Sequence, residues 1–283
     1  MDYLKELLIK EYGEELTKDI LDGYVSKYTT IRCNVDKNEV INILKDNGIG
    51  YEEMDNNPYA LVLHNTTKED LEVLDIYKEG KIYLQSLSSQ LPPLYMIIND
   101  KDQVLDMCAA PGSKTTELAM LYPNSLITAN EVNKIRADRL KYNVNKQNIN
   151  NVTVINNDAT MLSEYMSFDS ILLDTPCSGS GTITDNTFNM EDSIDKITNI
   201  QEKLLNKAIS LLKKDKYMIY STCSILKEEN EDILNKVLND TIEIVPINID
   251  GVELLPSTID GVLTIKPNNY YEGFFIALLH KKC

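Results

Sequence analysis

The chain is short of the residues that build disulfide scaffolds, metal centres and phosphate-gripping surfaces. Five cysteines are scattered singly through 283 residues. An odd, dispersed set argues against a disulfide framework and for a reducing cytoplasm. There is no Cys-x-x-Cys, and His64 and His280 lie far apart, so no metal site is expected. No stretch approaches the roughly 18 apolar residues of a membrane span, so no membrane insertion is expected. The opening MDYLKELLIKEYGEEL is acidic and amphipathic, without the basic start and apolar core of a secretion signal. Arginine is scarce, with only Arg32, Arg136 and Arg139. Lys and Arg total 28 against 44 Asp and Glu, a formal net charge of −16. Proteins that hold nucleic acid normally carry a basic surface, so RNA binding here needs a local lysine patch.

What remains is ordinary for a globular chain. Hydrophobic residues make up 43% and charged residues 25%, which excludes wholesale disorder. The length suits a domain of about 200 residues with a smaller appendage. Leu4, Leu7, Leu8, Tyr12, Leu16, Ile20 and Tyr24 recur at helical spacing, predicting a helix over 3–27 that Gly13 and Gly23 interrupt or end. A strand over Thr30–Val35, a helix over Lys37–Asp46 and a strand pair around Tyr51–Met54 and Ala60–Leu63 follow, with the turn at Asn56-Asn57-Pro58. Residues 1–80 therefore read as a helix plus a small α+β unit, and 81–283 as the main domain.

From about residue 100, strands and helices alternate. The strand candidates are Val104–Met107, Leu126–Ala129, Val152–Ile155, Ser170–Leu173 and Tyr217–Tyr220, and the clearest helix is Ile197–Leu212. Ile242–Ile249 and Val262–Leu279 read as further strands, with Asn268-Asn269 in a turn. This pattern predicts an α/β fold with a parallel sheet covered on both faces, whose ligands sit at the carboxyl ends of its strands.

The chemistry-bearing segments fall after those strands. In Val104–Ala119 a strand runs into Cys108, Ala109, Ala110, Pro111, Gly112, Ser113 and Lys114, then a helix. Small side chains let a ligand approach the backbone, and a helix start favours an anionic group. A Walker A loop is excluded, because the position five before Gly112 is Met107. An ordinary tight turn is the plain alternative. Glu131 ends the next strand, where an acid accepts from ribose hydroxyls. Asp158 follows the third strand, near an adenine amino group or simply in an Asx turn. Asp174 and Cys177 follow the fourth strand in LLDTPCSGSGT, and Cys223 follows the fifth in YSTCSILKEENE. A lone cysteine is usually core, but two in polar strand ends beside an acid form a constellation.

These segments, with ANEVNKIRADRL, NNDA, Gln201 in IQEKLLNKA, Ile31–Asn34, Gln85–Ser89 and Gly273–Leu279, resemble the Sun-type (NSUN-type) RNA cytosine-C5 methyltransferases over nearly the whole chain. Three places depart from that pattern. Thr175 replaces the usual Ala, Asp215-Lys216 replaces a frequent Gly pair, and the loop after Gly181 carries Asp185, Glu191 and Asp192 rather than basic residues. The resemblance implies a class I S-adenosylmethionine (SAM)-dependent methyltransferase fold: α/β, Rossmann-like, doubly wound and mostly parallel, with a small N-terminal α+β unit.

It also implies a reaction. Carbon 5 of cytosine is too weak a nucleophile to take a methyl group directly, and a thiolate adding to carbon 6 activates it. Cys223 is the implied nucleophile, Cys177 assists release, Asp174 faces the base, and Lys114 orients Asp174 or the base edge. SAM is expected against residues 108–114, Glu131, Arg136, Asp158 and Asp174. A free cysteine is only a few per cent thiolate at neutral pH, so the site must activate it or rely on its intrinsic reactivity. Arg32, Lys27 and Lys81 are the expected phosphate contacts. The expected partner is RNA, tRNA rather than rRNA because the compact form resembles the archaeal-type tRNA enzymes, and the chain is expected to be a monomer. A small-molecule or protein methyltransferase, and a catalytically silent RNA-binding factor, remain the alternatives.

Overall fold

The computed structural model describes residues 2–183 and 193–282. The acidic loop bearing Asp185, Glu191 and Asp192 lies outside them. Helix α1 (Asp2–Asp22) is broken at Gly13, whose backbone turns to φ 78° and ψ 169°. It does not join the small sheet. Leu4, Leu8, Ile20 and Tyr24 pack instead on Ile183, Ile225, Leu226 and Leu255. The Tyr12 hydroxyl donates to Ile225 O at 2.6 Å and the Tyr24 hydroxyl to Ser180 O at 2.6 Å. Thus α1 braces the loops around both site cysteines.

The small sheet is built from β1 (Thr29–Cys33), α2 (Lys37–Asp46), β2 (Gly50–Met54), β3 (Asn57–His64), α3 (Lys68–Glu72), α4 (Asp75–Lys78) and β4 (Ile82–Leu84). Its strands run β2-β3-β1-β4, all antiparallel. Asp36 caps α2 by accepting from the Asn38 and Glu39 amides, and Val40, Ile41 and Leu44 turn its apolar stripe onto the sheet.

The large sheet begins after α5 (Leu87–Leu94). It comprises β5 (Gln103–Asp106), α6 (Ser113–Leu121), β6 (Leu126–Asn130), α7 (Lys134–Lys146), β7 (Val152–Ile155), β8 (Phe168–Asp174), α8 (Ile194–Leu211), β9 (Leu212–Thr222), α9 (Glu231–Asn235), β10 (Ile242–Val245), β11 (Leu263–Ile265) and β12 (Phe274–Lys281). Strand order is β10-β12-β9-β8-β5-β6-β7, with β11 added on β12. Strands β5 to β9 pair in parallel, and β12 is antiparallel to both its neighbours β9 and β10. Chain order reverses at β5, between β6 and β8, which opens a crevice at the strand ends there.

Strand β9 starts at Leu212 rather than Tyr217, because α8 ends at Leu211 and the chain turns directly into the sheet. Within it Asp215 holds φ 55°, a left-handed conformation that glycine adopts most readily. The turn expected at Asn268-Asn269 separates β11 from β12, and there the Asn268 side chain accepts from the Tyr270 and Tyr271 amides at 2.8 Å each.

Arg32 requires a correction. It was expected at the RNA, but it is wholly buried, and all four of the β1 residues Thr30–Cys33 are buried. Its guanidinium joins the small sheet to α6. It donates to Asn34 Oδ1, Gln85 Oε1, Ser113 O, Thr116 Oγ1 and Gln147 Oε1, and lies 3.6 Å from Glu117 Oε2. A side chain so placed cannot reach a phosphate in solution. Of the other two candidates, Lys27 donates to Gly23 O at 2.9 Å, and Lys81 pairs with Glu39 and Glu79 at 3.2 Å each.

Candidate active site

The crevice at the ends of β5, β6, β8 and β9 encloses about 520 Å³. Cys108, Ala110, Glu131, Arg136, Asp158, Asp174, Cys177 and Cys223 line it, together with apolar Met107, Val132, Ile200 and Leu204. Ala109, Pro111, Gly112 and Ser113 belong to the same β5–α6 loop but do not face the crevice. They hold its shape instead. Ala109 N donates to Asn130 O at 2.8 Å, and Asn143 Nδ2 donates to Pro111 O at 2.8 Å. Gly112 sits at φ 106°, a backbone conformation that glycine adopts without strain and other residues do not.

Glu131 ends β6 with its side chain almost entirely buried. One oxygen accepts from Asn133 N at 2.8 Å, and the other lies 3.6 Å from the Arg136 guanidinium. Arg136 also donates to Ala110 O at 3.0 Å, tying the acid to the β5–α6 loop. Asp158 caps a short turn by accepting from the Thr160 amide and hydroxyl, so the Asx geometry and the position on the crevice wall both hold.

Lys114 does not line the crevice. The first turn of α6 buries it and aims its ammonium at the end of β8, where it pairs with Asp174 Oδ2 at 2.8 Å and donates to Ser89 Oγ at 2.9 Å. Burial pulls the ammonium down, but the Asp174 carboxylate outweighs that and holds it above the ordinary lysine value. Asp174 Oδ1 accepts from Ser221 Oγ on β9 at 2.8 Å. The carboxylate is thus held from two sides and kept at the crevice wall. Sequence reasoning missed Ser221, and it missed Asp106, which is buried below the site and bonded by Thr115 Oγ1 at 2.6 Å. Neither has a signal in one sequence, since a serine or acid inside an apolar strand carries no mark of its partner.

Because β8 and β9 are parallel neighbours, the loops after them lie side by side. They bring Cys177 Sγ to 2.7 Å from Cys223 Sγ, with both thiols free. The hydrogen bond between the sulfurs, with burial, pushes the Cys177 thiol well above the usual range, so Cys177 holds its proton beside Cys223. Burial likewise raises Cys108 and keeps it a thiol. The backbone locks the arrangement: Thr175 N donates to Ser221 O, and Gly181 N donates to Cys223 O, both at 3.0 Å. Among the described residues no group of three or more His, Cys, Asp or Glu is placed to hold a metal, and no helix is long and apolar enough to cross a membrane.

Known proteins resemble this chain in sequence and in fold. The chain is 36% identical over 222 residues to a ribosomal RNA small subunit methyltransferase F of Shewanella sediminis, covering 72% of this chain and 46% of that protein. It spans about half the length of the relatives of that name. A methyltransferase homologue from Pyrococcus horikoshii superposes with a TM-score of 0.84 at 28% identity, covering 95% of this chain and 92% of the other. The structure of NSun6 from Pyrococcus horikoshii with SFG has the same fold, with a TM-score of 0.87 at 21% identity and coverage of 98% and 97%. These matches bear out the class I methyltransferase fold. The sequence profile of the family described as 16S rRNA methyltransferase RsmB/F matches residues 94–280, the whole span that carries the crevice and both thiols, and the chain belongs to that family.

Proposed function

We propose that this chain methylates carbon 5 of a cytosine in RNA, with SAM as methyl donor, through a covalent bond from Cys223 to carbon 6. The observation that carries this reading is the meeting of two free thiols beside the Lys114–Asp174 pair at the edge of the crevice. A methyltransferase acting on a small molecule or a protein needs no such pair.

The crevice suits the cofactor. Its volume of about 520 Å³ lies within the range of small-molecule sites. Glu131 offers a buried carboxylate to ribose hydroxyls, Asp158 an acceptor to an amino group, and Val132, Ile200 and Leu204 apolar contact to a flat ring. SAM supplies a methyl group bonded to a positively charged sulfur.

The chain's own residues do the rest. Cys223, as thiolate, gives an electron pair to carbon 6, and the electrons displaced from the ring's double bond make carbon 5 nucleophilic. Asp174, held by Lys114 and Ser221, would accept from the exocyclic amine as a carboxylate and, once carrying a proton, would donate it to ring nitrogen 3. After methyl transfer the carbon 5 proton is lost to base and its bonding pair reforms the ring double bond. The sulfur–carbon 6 bond breaks and its pair returns to sulfur. Cys177, protonated and in contact with that sulfur, donates to it as it departs. A paired base must first leave its stack at a few kcal/mol, which favours looped or single-stranded cytosines. The need for a free Cys223 thiol fits a reducing compartment, the cytoplasm.

For the RNA class, the resemblance to the archaeal-type tRNA enzymes favours tRNA. The relatives' own name favours rRNA as the second reading. Bisulfite sequencing of both pools, with and without the gene, decides between them. The mechanism is tested on a denaturing gel with labelled RNA. Cys223→Ala should give neither product nor adduct, whereas Cys177→Ala should accumulate a denaturation-resistant protein–RNA complex. An adduct in Cys223→Ala instead would exchange the two roles. Full activity in both variants would remove the thiols from the chemistry.

A further inference from the structure

We propose that Glu229 is a positioning residue, a buried carboxylate that holds the two cysteine loops in register. The inference rests on the reading above, and its test separates the two. Glu229 is wholly buried. It accepts from Ser178 N at 2.8 Å and from the Ser178 hydroxyl, both on the residue that follows Cys177. It also accepts from Ser224 Oγ at 2.7 Å, on the residue that follows Cys223. One carboxylate therefore takes a donor from the chain neighbour of each thiol.

A fourth donor comes from α8. Gln201 Nε2 reaches Glu229 at 3.2 Å and Pro176 O, on the residue before Cys177, at 2.9 Å. Ser180 Oγ and Ser224 Oγ meet at 2.8 Å, closing the network between the loops. The carboxylate has no salt-bridge partner among the described residues and is satisfied by hydroxyl, amide and side-chain amide donors. Such a group accepts several directed bonds at once, which a neutral side chain of the same shape cannot do. Reacting groups displaced by about 1 Å can lose on the order of 10²-fold in rate. The separation of the two sulfurs is the distance this brace controls.

The deciding measurement needs no RNA. Diamide takes two hydrogens from a thiol pair and leaves a disulfide, at a rate set by how closely the sulfurs meet. Cross-linking of Cys177 to Cys223 is followed by mass spectrometry in the wild type and in Glu229→Gln. We expect Glu229→Gln to slow it roughly tenfold or more, and to lower kcat on the order of 10²-fold with the KM for SAM unchanged. Adduct formation in a Cys177→Ala background should slow by the same factor. If Glu229→Gln does not fold, Ser178→Ala and Ser224→Ala decide: each removes one hydroxyl donor to Glu229, the Ser178 amide staying in place, and together they should slow the cross-link about tenfold. Unchanged cross-linking in a folded variant overturns the proposal. Slowed cross-linking in a protein that methylates no RNA upholds the brace and overturns the reading of function.

Discussion

Replacing Arg32 with methionine tests the claim that the guanidinium is internal. Methionine fills much of the same volume but removes every donor. Five acceptors lose a hydrogen bond, and Glu117, itself fully buried, loses the cation 3.6 Å away. Breaking a buried pair from one side costs about 3–5 kcal/mol, since it strands a charge. The lower end applies here. Burial already pushes the Glu117 carboxyl up against the pull of Arg32 and Gln85, so without Arg32 it can take up a proton. With a urea m-value of ~3 kcal/mol/M, a loss of ~3 kcal/mol lowers the unfolding midpoint by about 1 M. The double variant Arg32→Met/Glu117→Gln should recover part of that loss, because the orphaned charge is gone. An unchanged midpoint combined with weakened RNA binding would refute the reasoning and return Arg32 to the RNA.

Glu131→Ala should weaken SAM binding about 10- to 100-fold, the value of a hydrogen bond to a charged group, in a protein that still unfolds cooperatively. Calorimetry showing unchanged affinity would sink the ribose assignment. The Asp106 carboxyl is raised to about 7, chiefly by burial, with the Asp174 and Glu131 charges adding and the Thr115 hydrogen bond opposing. The folded state therefore keeps a proton that the unfolded chain releases near pH 4. That contribution to stability is full below pH 4 and is lost as pH rises to about 7. Urea midpoints between pH 4 and 8 should fall less steeply in Asp106→Asn than in the wild type, and equal slopes would count against the burial argument. In Gly181→Ala the new Cβ would overlap the backbone carbonyl of Gly273, so melting temperature and methylation should fall together. A variant with wild-type melting would mean that the loop yields without cost.

The convergence of Asp174, Cys177 and Cys223 was legible because topology alone dictates it. Residues at the carboxyl ends of two parallel strands meet when those strands are neighbours, and the alternation of strands and helices already implied that order. Lys114 was legible as a site residue but not in its direction. Which way the first turn of α6 points depends on the packing of α6 against α5, α7 and β6, and the loop sequence is silent on it. Arg32 misled because a charged residue in a short strand reads as exposed. Both faces of β1 are covered, one by its own small core and one by α6, so no alternation marked it. Glu229 was hidden among Glu228 and Glu231, acids of the same type in the same turn, and only the fold distinguishes the one that reaches both cysteine loops.

The placement of β12 has a consequence for synthesis of the chain. This strand lies between β9 and β10 and carries Phe275, Ala277 and Leu279 into the main core. Yet it follows β9 by about 50 residues. At ~5–20 residues per second, the ribosome leaves one edge of β9 without its partner for roughly 3–10 s. During that interval Met218, Ile219 and Tyr220 sit on an open strand edge, the kind of surface that pairs with other chains. Nascent chains should therefore be most prone to aggregate, and most dependent on chaperones, in the window between emergence of β9 and emergence of β12.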